Sequence, residues 1–386
     1  MHKHILYILP KSYFFKYGWR GRVTHAIGVI TGIGDNTTNI TVVSGSDISN
    51  YTNSRSAIAN LIEIKKRNNG IIGNSEILWQ IILFKRVRKL ITQTKYNAVI
   101  IRYSVGNIIL NLSFQRLFKN RVRSVVEINS LAYHQLGYLP GSIRKLIIRF
   151  EILLLKSYNS FYVVSDQIRK DLIKFGCNNR IHVVPNGSDV QYPLNLIPDV
   201  GDITRLVYFG KFQPYYDFIS LISDFISLSK KIDNIELHFW GNDKALDLSK
   251  INASELKNIH FHGSYLKDEM QNNLLSATDI LILPFKPSAM ASIGSPTKLY
   301  EYMSYGLPII AAKIGQVGEV LSQGYTGYYY NPEQSGSLQK TLYYLLNNKK
   351  ERIEVGANCK NEFLQQHTWK MRMKSLLNAI GSTNVY

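Results

Sequence analysis

The run Asp279-Ile280-Leu281-Ile282-Leu283, the segment Gly294-Ser295-Pro296-Thr297-Lys298-Leu299-Tyr300-Glu301-Tyr302-Met303, then Gly306 and the apolar residues 307–312, decide the fold. They read as strand, loop, helix, strand, the repeat of a parallel sheet covered by helices. Ser295 suits an N-cap, Pro296 the first helical turn and Gly306 a C′ position, so the pattern predicts a helix over 296–305. The N–H groups of Thr297 and Lys298 are then free for an anion, and Gly294 lets a ligand approach the chain closely. Lys298 in the first turn opposes the helix dipole, a cost of roughly 0.3–1 kcal/mol that a bound diphosphate reverses. Glu301 falls one turn deeper on the same face, where a carboxylate can accept from two adjacent sugar hydroxyls. A nucleoside diphosphate fits this pattern, and an ordinary helix with an exposed Lys and Glu fits the spacing equally well.

Outward from this stretch the same alternation continues. Residues 4–9, 39–43, 98–103, 124–127, 160–164 and 181–184 read as strands of a first half, and 205–209, 236–240 and 259–262 as further strands of the second. Ser165 caps a predicted helix over 165–175 that Gly176 ends. Residues 187–204 hold Gly187, Pro193, Pro198 and Gly201 without periodicity and read as a linker. The expected domains are therefore 1–190 and 191–368, and a basic amphipathic helix at 369–386 can cross back to the first. Two doubly wound α/β domains then face each other across a cleft, and such sheets bind ligands at their carboxyl edges.

Length and composition agree. The 386 residues, 45% apolar and 19% charged, suffice for two α/β domains and exclude disorder, collagen and coiled coil. Two cysteines, Cys177 and Cys359, make no disulfide framework, and no Cys/His pair has zinc spacing, which favours a reducing cytoplasm. Residues 1–190 carry 27 Lys/Arg against 9 Asp/Glu, whereas residues 191–386 carry 19 against 18, so the first half faces something anionic. No apolar run reaches the ~18 residues of a membrane span. The short apolar start, cut by Pro10 and Lys11, does not read as an export signal.

The sequence G-S-P-T-K-L-Y-E-Y-M-S-Y-G-L-P-I-I-A, preceded by D-I-L-I-L-P-F, resembles the donor-nucleotide motif of the group-1 (family 4) glycosyltransferases of the GT-B fold. Val163-Val164-Ser165 with its helix, Ile181 to Gly187, Tyr208-Phe209-Gly210-Lys211 and Trp369 resemble further marks of that family, in order, over nearly the whole chain. The resemblance implies that Glu301 holds the donor ribose and that Lys211 and the loop from Gly294 and Ser295 to Lys298 hold the diphosphate. Glu319, in Gly315-Gln316-Val317-Gly318-Glu319, matches a frequent acidic position of that family after the next strand and is counted by resemblance among the donor-binding residues. Tyr265 lies where such enzymes place the nucleobase, and a loop aromatic packing on the surface is an equal reading. Two departures stand out: Ile293 occupies a position where the family often shows a glutamate contacting the donor sugar, and Tyr216-Asp217 stand where it often has a lysine–glycine pair. A sugar held differently, and greater dependence on Lys211 and Lys298, are implied.

In the first half, Tyr17-Gly18-Trp19-Arg20-Gly21-Arg22 forms a basic glycine-spaced loop before a predicted helix over 23–30. It lacks the G-x-G-x-x-G spacing of a nicotinamide site. By resemblance Gly18, Gly21 and Arg22 contact phosphate or acceptor; a solvated loop is the alternative. Glu127 ends a strand, followed by Asn129, Ser130 and His134, at an edge where reactive groups collect. His134 resembles a position that touches the donor sugar, though a lone loop histidine is commonly a surface or capping residue. Glu127 is either an acceptor contact or a buried structural carboxylate. Lys85, Arg86, Arg88 and Lys89 oppose Leu83, Phe84, Val87, Leu90 and Ile91 on one helix, an interfacial pattern for an anionic membrane, with a charged face on a core-packing helix as the alternative.

The expected activity is transfer of a sugar from a UDP- or GDP-linked donor to a lipid-linked saccharide acceptor for a surface polysaccharide (O-antigen, capsule or lipopolysaccharide), with retention implied by resemblance. The enzyme is expected on the cytoplasmic face of the membrane, peripheral, with no cofactor and no nucleic-acid partner. No Asp-x-Asp is present to chelate a metal on the diphosphate, so no metal is expected. The rivals are a sugar-nucleotide epimerase of the same fold and a non-catalytic binding subunit.

Overall fold

A computed structural model describes residues 4–10, 21–37, 39–45, 60–64, 76–104, 108–189, 203–242, 246, 252–265 and 278–381. The chain divides into two compact units, residues 1–187 with 369–386, and residues 188–368.

The first unit is built on a seven-stranded sheet. Its strands are β1 (His4–Ile8), β2 (Asn39–Ser44), β3 (Asn60–Glu63), β4 (Ala98–Arg102), β5 (Arg123–Ile128), β6 (Ser160–Val163) and β7 (Arg180–Val183). The order β3-β2-β1-β4-β5-β6-β7 is parallel throughout, with the reversal of a doubly wound sheet between β1 and β4. Runs such as Ala98-Val99-Ile100-Ile101 are buried along their whole length, as strands covered on both faces must be. The helices include α1 (Gly21–Gly34), α2 (Glu76–Gln93), α3 (Ile108–Phe118), α4 (Ala132–Gln135), α5 (Gly141–Leu155) and α6 (Asp166–Lys174). Ser165 caps α6 by accepting from the N–H of Ile168, and Gly176 follows it at φ +85°.

The second unit repeats the plan. Its strands are β8 (Thr204–Phe209), β9 (Ile235–Trp240), β10 (Ile259–Phe261), β11 (Ile280–Leu283), β12 (Ile309–Ala312) and β13 (Tyr328–Tyr330), in the parallel order β10-β9-β8-β11-β12-β13. Its helices include α7 (Phe218–Ser229), α8 (Ala289–Ile293), α9 (Thr297–Met303), α10 (Val317–Val320), α11 (Ser337–Asn347) and α12 (Lys349–Glu362).

The last helix, α13 (Trp369–Gly381), belongs to the first unit and packs on α1. Gly28 and Gly32 make the contact possible. A Cβ on Gly28 would stand 2.1 Å from the Trp369 ring, and one on Gly32 would stand 2.4 Å from the Trp369 carbonyl oxygen.

Two strands absent from the sequence reading are β3 and β13, both short and at sheet edges. The helix expected over 296–305 is shorter, with Pro296 rather than Ser295 at the N-cap position. The Pro296 carbonyl accepts from the N–H of Leu299, so the chain enters the helix one residue later than Ser295 would have set it. Gly306 does lie beyond the end at φ +76°.

Candidate functional site

In the second unit the strand order reverses between β8 and β11, so the crevice outside the carboxyl ends of Phe209 and Leu283 is where such a sheet takes a ligand. Gly210 leaves β8 at φ +141°, a conformation side chains disfavour. A Cβ there would stand 2.8 Å from both Cε and Nζ of Lys298. The first turn of α9 is therefore pressed against the end of β8.

Tyr302 explains why. It is fully buried, and its hydroxyl accepts from the N–H of Phe209 and donates to the Phe209 carbonyl, each at 3.0 Å. Four residues earlier on the helix, Lys298 lays its ammonium over the Phe209 ring, 4.8 Å from the centroid, and 5.7 Å from that of Tyr302. Nζ also lies 3.0 Å from Oε2 of Glu301, and the Tyr305 hydroxyl donates to the other carboxylate oxygen at 3.4 Å. The charge that opposes the helix dipole is thus countered one turn along the same helix. Both side chains stay partly open to solvent, at 18% and 26%.

Around this pair the backbone is close-set. Thr297 begins α9, and Gly294 and Ser295 precede it, all half-buried. Gly315, after β12, has φ +51° and no room for a side chain, since a Cβ would stand 2.6 Å from the Ala291 carbonyl oxygen; the loop before α10 thus lies close against α8. Tyr300 on α9 donates to Gln316 in that loop at 3.3 Å. Glu319 is exposed on α10. Lys211 is exposed directly after Gly210, and its carbonyl accepts from the Tyr208 hydroxyl at 2.7 Å. Tyr265 packs edge-on against Phe209, 6.1 Å between centroids, and burial, with the Glu301 carboxylate nearby, pushes its hydroxyl pKa up.

The structure thus brings together Gly210, Tyr265, Lys298 and Glu301. It adds Tyr302 and Tyr305, to which the sequence alone assigns no role. Ile293 is buried and contributes to packing. Asp217 caps α7, accepting from the N–H and the hydroxyl of Ser220 at 3.1 and 2.9 Å.

The first unit's candidates divide differently. Glu127 is fully buried and accepts from Arg102 at 2.8 Å, the Tyr7 hydroxyl at 2.6 Å and the Asn129 amide at 2.7 Å. Burial works against its charge, but Arg102, His25 and these hydrogen bonds hold its pKa below the ordinary value. His25 takes a hydrogen bond from Arg102 at Nδ1, 2.7 Å, and burial pushes its pKa down to about 3. This is the structural reading of Glu127 rather than the acceptor contact: with Arg102, Tyr7 and Asn129 all directed at it, its oxygens are already engaged.

His134 is likewise engaged at both nitrogens, accepting from the N–H of Leu131 at Nδ1, 3.3 Å, and donating from Nε2 to Asp171 at 2.7 Å. The structure gives it a role at the start of α4, and no free nitrogen for catalysis. Gly21 and Arg22 open α1, and Gly18 lies outside the described residues. Lys85, Arg86, Arg88 and Lys89 are exposed on α2, but Leu83 and Val87 opposite them are fully buried and Phe84, Leu90 and Ile91 pack on the core. The apolar face expected to enter a membrane is the core face of that helix.

Residues 203–348 match the family model described as glycosyl transferases group 1, and residues 24–192 the one described as glycosyltransferase family 4. The chain is a group-1, family-4 glycosyltransferase. An uncharacterized glycosyltransferase of Methanocaldococcus jannaschii is 24% identical over 208 residues, 54% of this chain and 55% of that one. The chain thus spans about half the length of the curated relative it matches. Among solved structures, this glycosyltransferase is similar to HepE of Anabaena in complex with UDP and glucose, with TM-score 0.68 and 14% identity over 99% of this chain and 100% of that one. It is similar also to a glycosyltransferase from Rickettsia africae, with TM-score 0.70 and 14% identity over 99% and 98%. At such identity the likeness is one of fold, the two-unit Rossmann-like GT-B architecture.

Proposed function

We propose that the protein transfers a sugar from a UDP- or GDP-linked donor to a lipid-linked saccharide in surface-polysaccharide synthesis. The observation that carries this reading is the Lys298 ammonium held at the switch-point crevice, against Gly210 and beside Glu301. The donor's diphosphate takes the Lys298 charge and the N–H groups opening α9, and Lys211 approaches it from the end of β8. Its ribose hydroxyls donate to Glu301. As the sugar leaves, negative charge develops on the diphosphate, and donors already in place stabilise that charge without reorganisation. The positive groups come from the chain itself, so turnover is expected to survive a chelator. Retention of anomeric configuration belongs to the same reading.

Membrane contact in this reading rests on α5 and the start of α2, both packed against α3. On α5, Ile143, Leu146, Phe150 and Leu153 are exposed at helical spacing, with Lys145 and Arg149 also exposed. On α2, Ile77 and Ile81 are exposed ahead of Lys85, Arg86 and Lys89. Apolar side chains above basic ones suit an anionic leaflet, where each basic residue contributes about 1 kcal/mol. Among the described residues no helix is long and apolar enough to cross a membrane. Cytoplasmic, peripheral attachment follows from this reading.

Release of nucleoside diphosphate from UDP- and GDP-sugars tests the activity. Release only in the presence of acceptor lipid supports transfer, isomerisation of the donor alone would make the protein an epimerase, and binding with neither would make it a non-catalytic subunit.

A further inference from the structure

A second group of chemistry-bearing side chains lies on β9 and β10. Along β9, Ile235, Leu237 and Phe239 are buried while Glu236, His238 and Trp240 are half-buried, so the latter three share the more open face. His260 on β10 is the register partner of His238 across the parallel pair, and His262 follows two residues later. The sheet edge thereby collects a carboxylate and three imidazoles on one surface.

Their contacts are specific. Nε2 of His238 stands 3.0 Å from Oε2 of Glu236, and Nε2 of His260 stands 3.9 Å from Oε1 of the same carboxylate. One ligand atom from each of Glu236, His238 and His260 lies within 4.8 Å of the others. The second nitrogen of His238, Nδ1, is hydrogen-bonded to Nε2 of His262 at 2.9 Å, and the Trp240 ring stacks on His262 with centroids 4.0 Å apart. His262 is thus positioned by stacking to hold His238, leaving the Nε2 side of His238 turned to Glu236.

We propose that Glu236, His238 and His260 form a Zn2+ site, with His262 as the positioning residue behind His238. Two donors on a tetrahedral Zn2+ with bonds of about 2.0–2.1 Å stand roughly 3.3 Å apart, a spacing that the 3.0 and 3.9 Å gaps bracket. Imidazole and carboxylate together suit this borderline ion. Ligation by neutral His238 places its one proton on Nδ1, donated to Nε2 of His262, and gives the Nε2 lone pair to Zn2+ in place of the contact with Glu236. The His238–His262 hydrogen bond then plays the outer part that ligating histidines require of their other nitrogen. Partial exposure of 26% for Glu236, 15% for His238 and 39% for His260 leaves the ion a route in and room for water as a further ligand. Glu236 and His238 precede the carboxyl end of β9, whereas the proposed donor site lies beyond the carboxyl ends of β8 and β11, so the ion clamps β10 to β9 and takes no part in transfer.

Isothermal titration of ZnCl2 into the full-length, tag-free protein tests this. One Zn2+ per chain is expected, with Kd in the micromolar range or tighter, accompanied by a rise in Tm. His238→Gln and His260→Gln should each weaken binding at least tenfold, His262→Gln by a smaller factor, and Glu301→Ala not at all. Because a variant can lose its fold, Co2+ added to the unaltered protein is a second readout: visible d–d bands of one tetrahedral ion per chain are expected. No saturable one-to-one binding, absence of those bands, or undiminished affinity in folded His238→Gln and His260→Gln overturns the site.

Discussion

The hydroxyl of Tyr302 satisfies both backbone groups of Phe209, at 3.0 Å in each direction, and so fastens the helix bearing Lys298 and Glu301 to the end of β8. Tyr302→Phe leaves the N–H and carbonyl of Phe209 buried without that partner, at a cost of about 1–3 kcal/mol. The loss should appear twice: as a lower Tm and as weaker donor binding, because Lys298 loses its fixed position. Nucleoside diphosphate affinity unchanged in a folded Tyr302→Phe protein would show that the helix needs no such anchor.

Gly210→Ala acts on the same contact from the other side. The φ of +141° disfavours any side chain, at about 1–3 kcal/mol, and the new methyl would push the Lys298 amine aside. Since a lysine terminus yields easily, the larger effect is expected on the donor KM, not on the fold. Steady-state kinetics with a raised donor KM, beside a Tm lowered by the few degrees that this strain implies, would agree; an unchanged KM in the folded variant would not.

Gly28→Ala should be the more damaging glycine change for stability. Its methyl would overlap the Trp369 ring, which is buried and has rigid neighbours, so α13 must shift away from α1. Thermal melting should fall by several degrees. Gly137→Ala, where nothing lies within 4 Å of the added atom, serves as the neutral comparison.

The buried cluster of His25, Arg102 and Glu127 makes stability depend on pH. In the folded protein the His25 pKa is pushed down to about 3, chiefly by burial, against an ordinary value of 6.5. Between those values the unfolded chain binds the extra proton, so stability is lost as pH falls from about 6.5 toward 3. His25→Gln removes the titration. Urea midpoints at pH 7 and pH 5 should therefore differ less in the variant than in the unaltered protein, and an equal difference would remove His25 from the account.

Much of this was legible in the sequence because parallel strands buried on both faces are continuous apolar runs, as at residues 98–103 and 279–283. β3 and β13 were not, since Asn60-Leu61-Ile62-Glu63 and three tyrosines lack such runs and owe their strand state to a neighbouring edge. The Lys298–Glu301 pair followed from helical spacing. The anchoring by Tyr302 did not, because its partner Phe209 lies 93 residues earlier. Glu127 and His134 illustrate the converse: their position at a strand end suggested chemistry, and long-range partners such as Arg102 and Asp171 had already claimed them. The imidazole cluster is not legible in the sequence for the same reason, His238 and His262 being 24 residues apart.

A crystal structure of the protein with a nucleoside diphosphate bound tests the central claim most directly. The account requires the diphosphate at the start of α9, hydrogen-bonded to the N–H groups there and to Lys298, with a ribose hydroxyl donating to Glu301. A nucleotide bound elsewhere in the protein, or one whose ribose leaves the Glu301 carboxylate paired only with Lys298 and Tyr305, would contradict it.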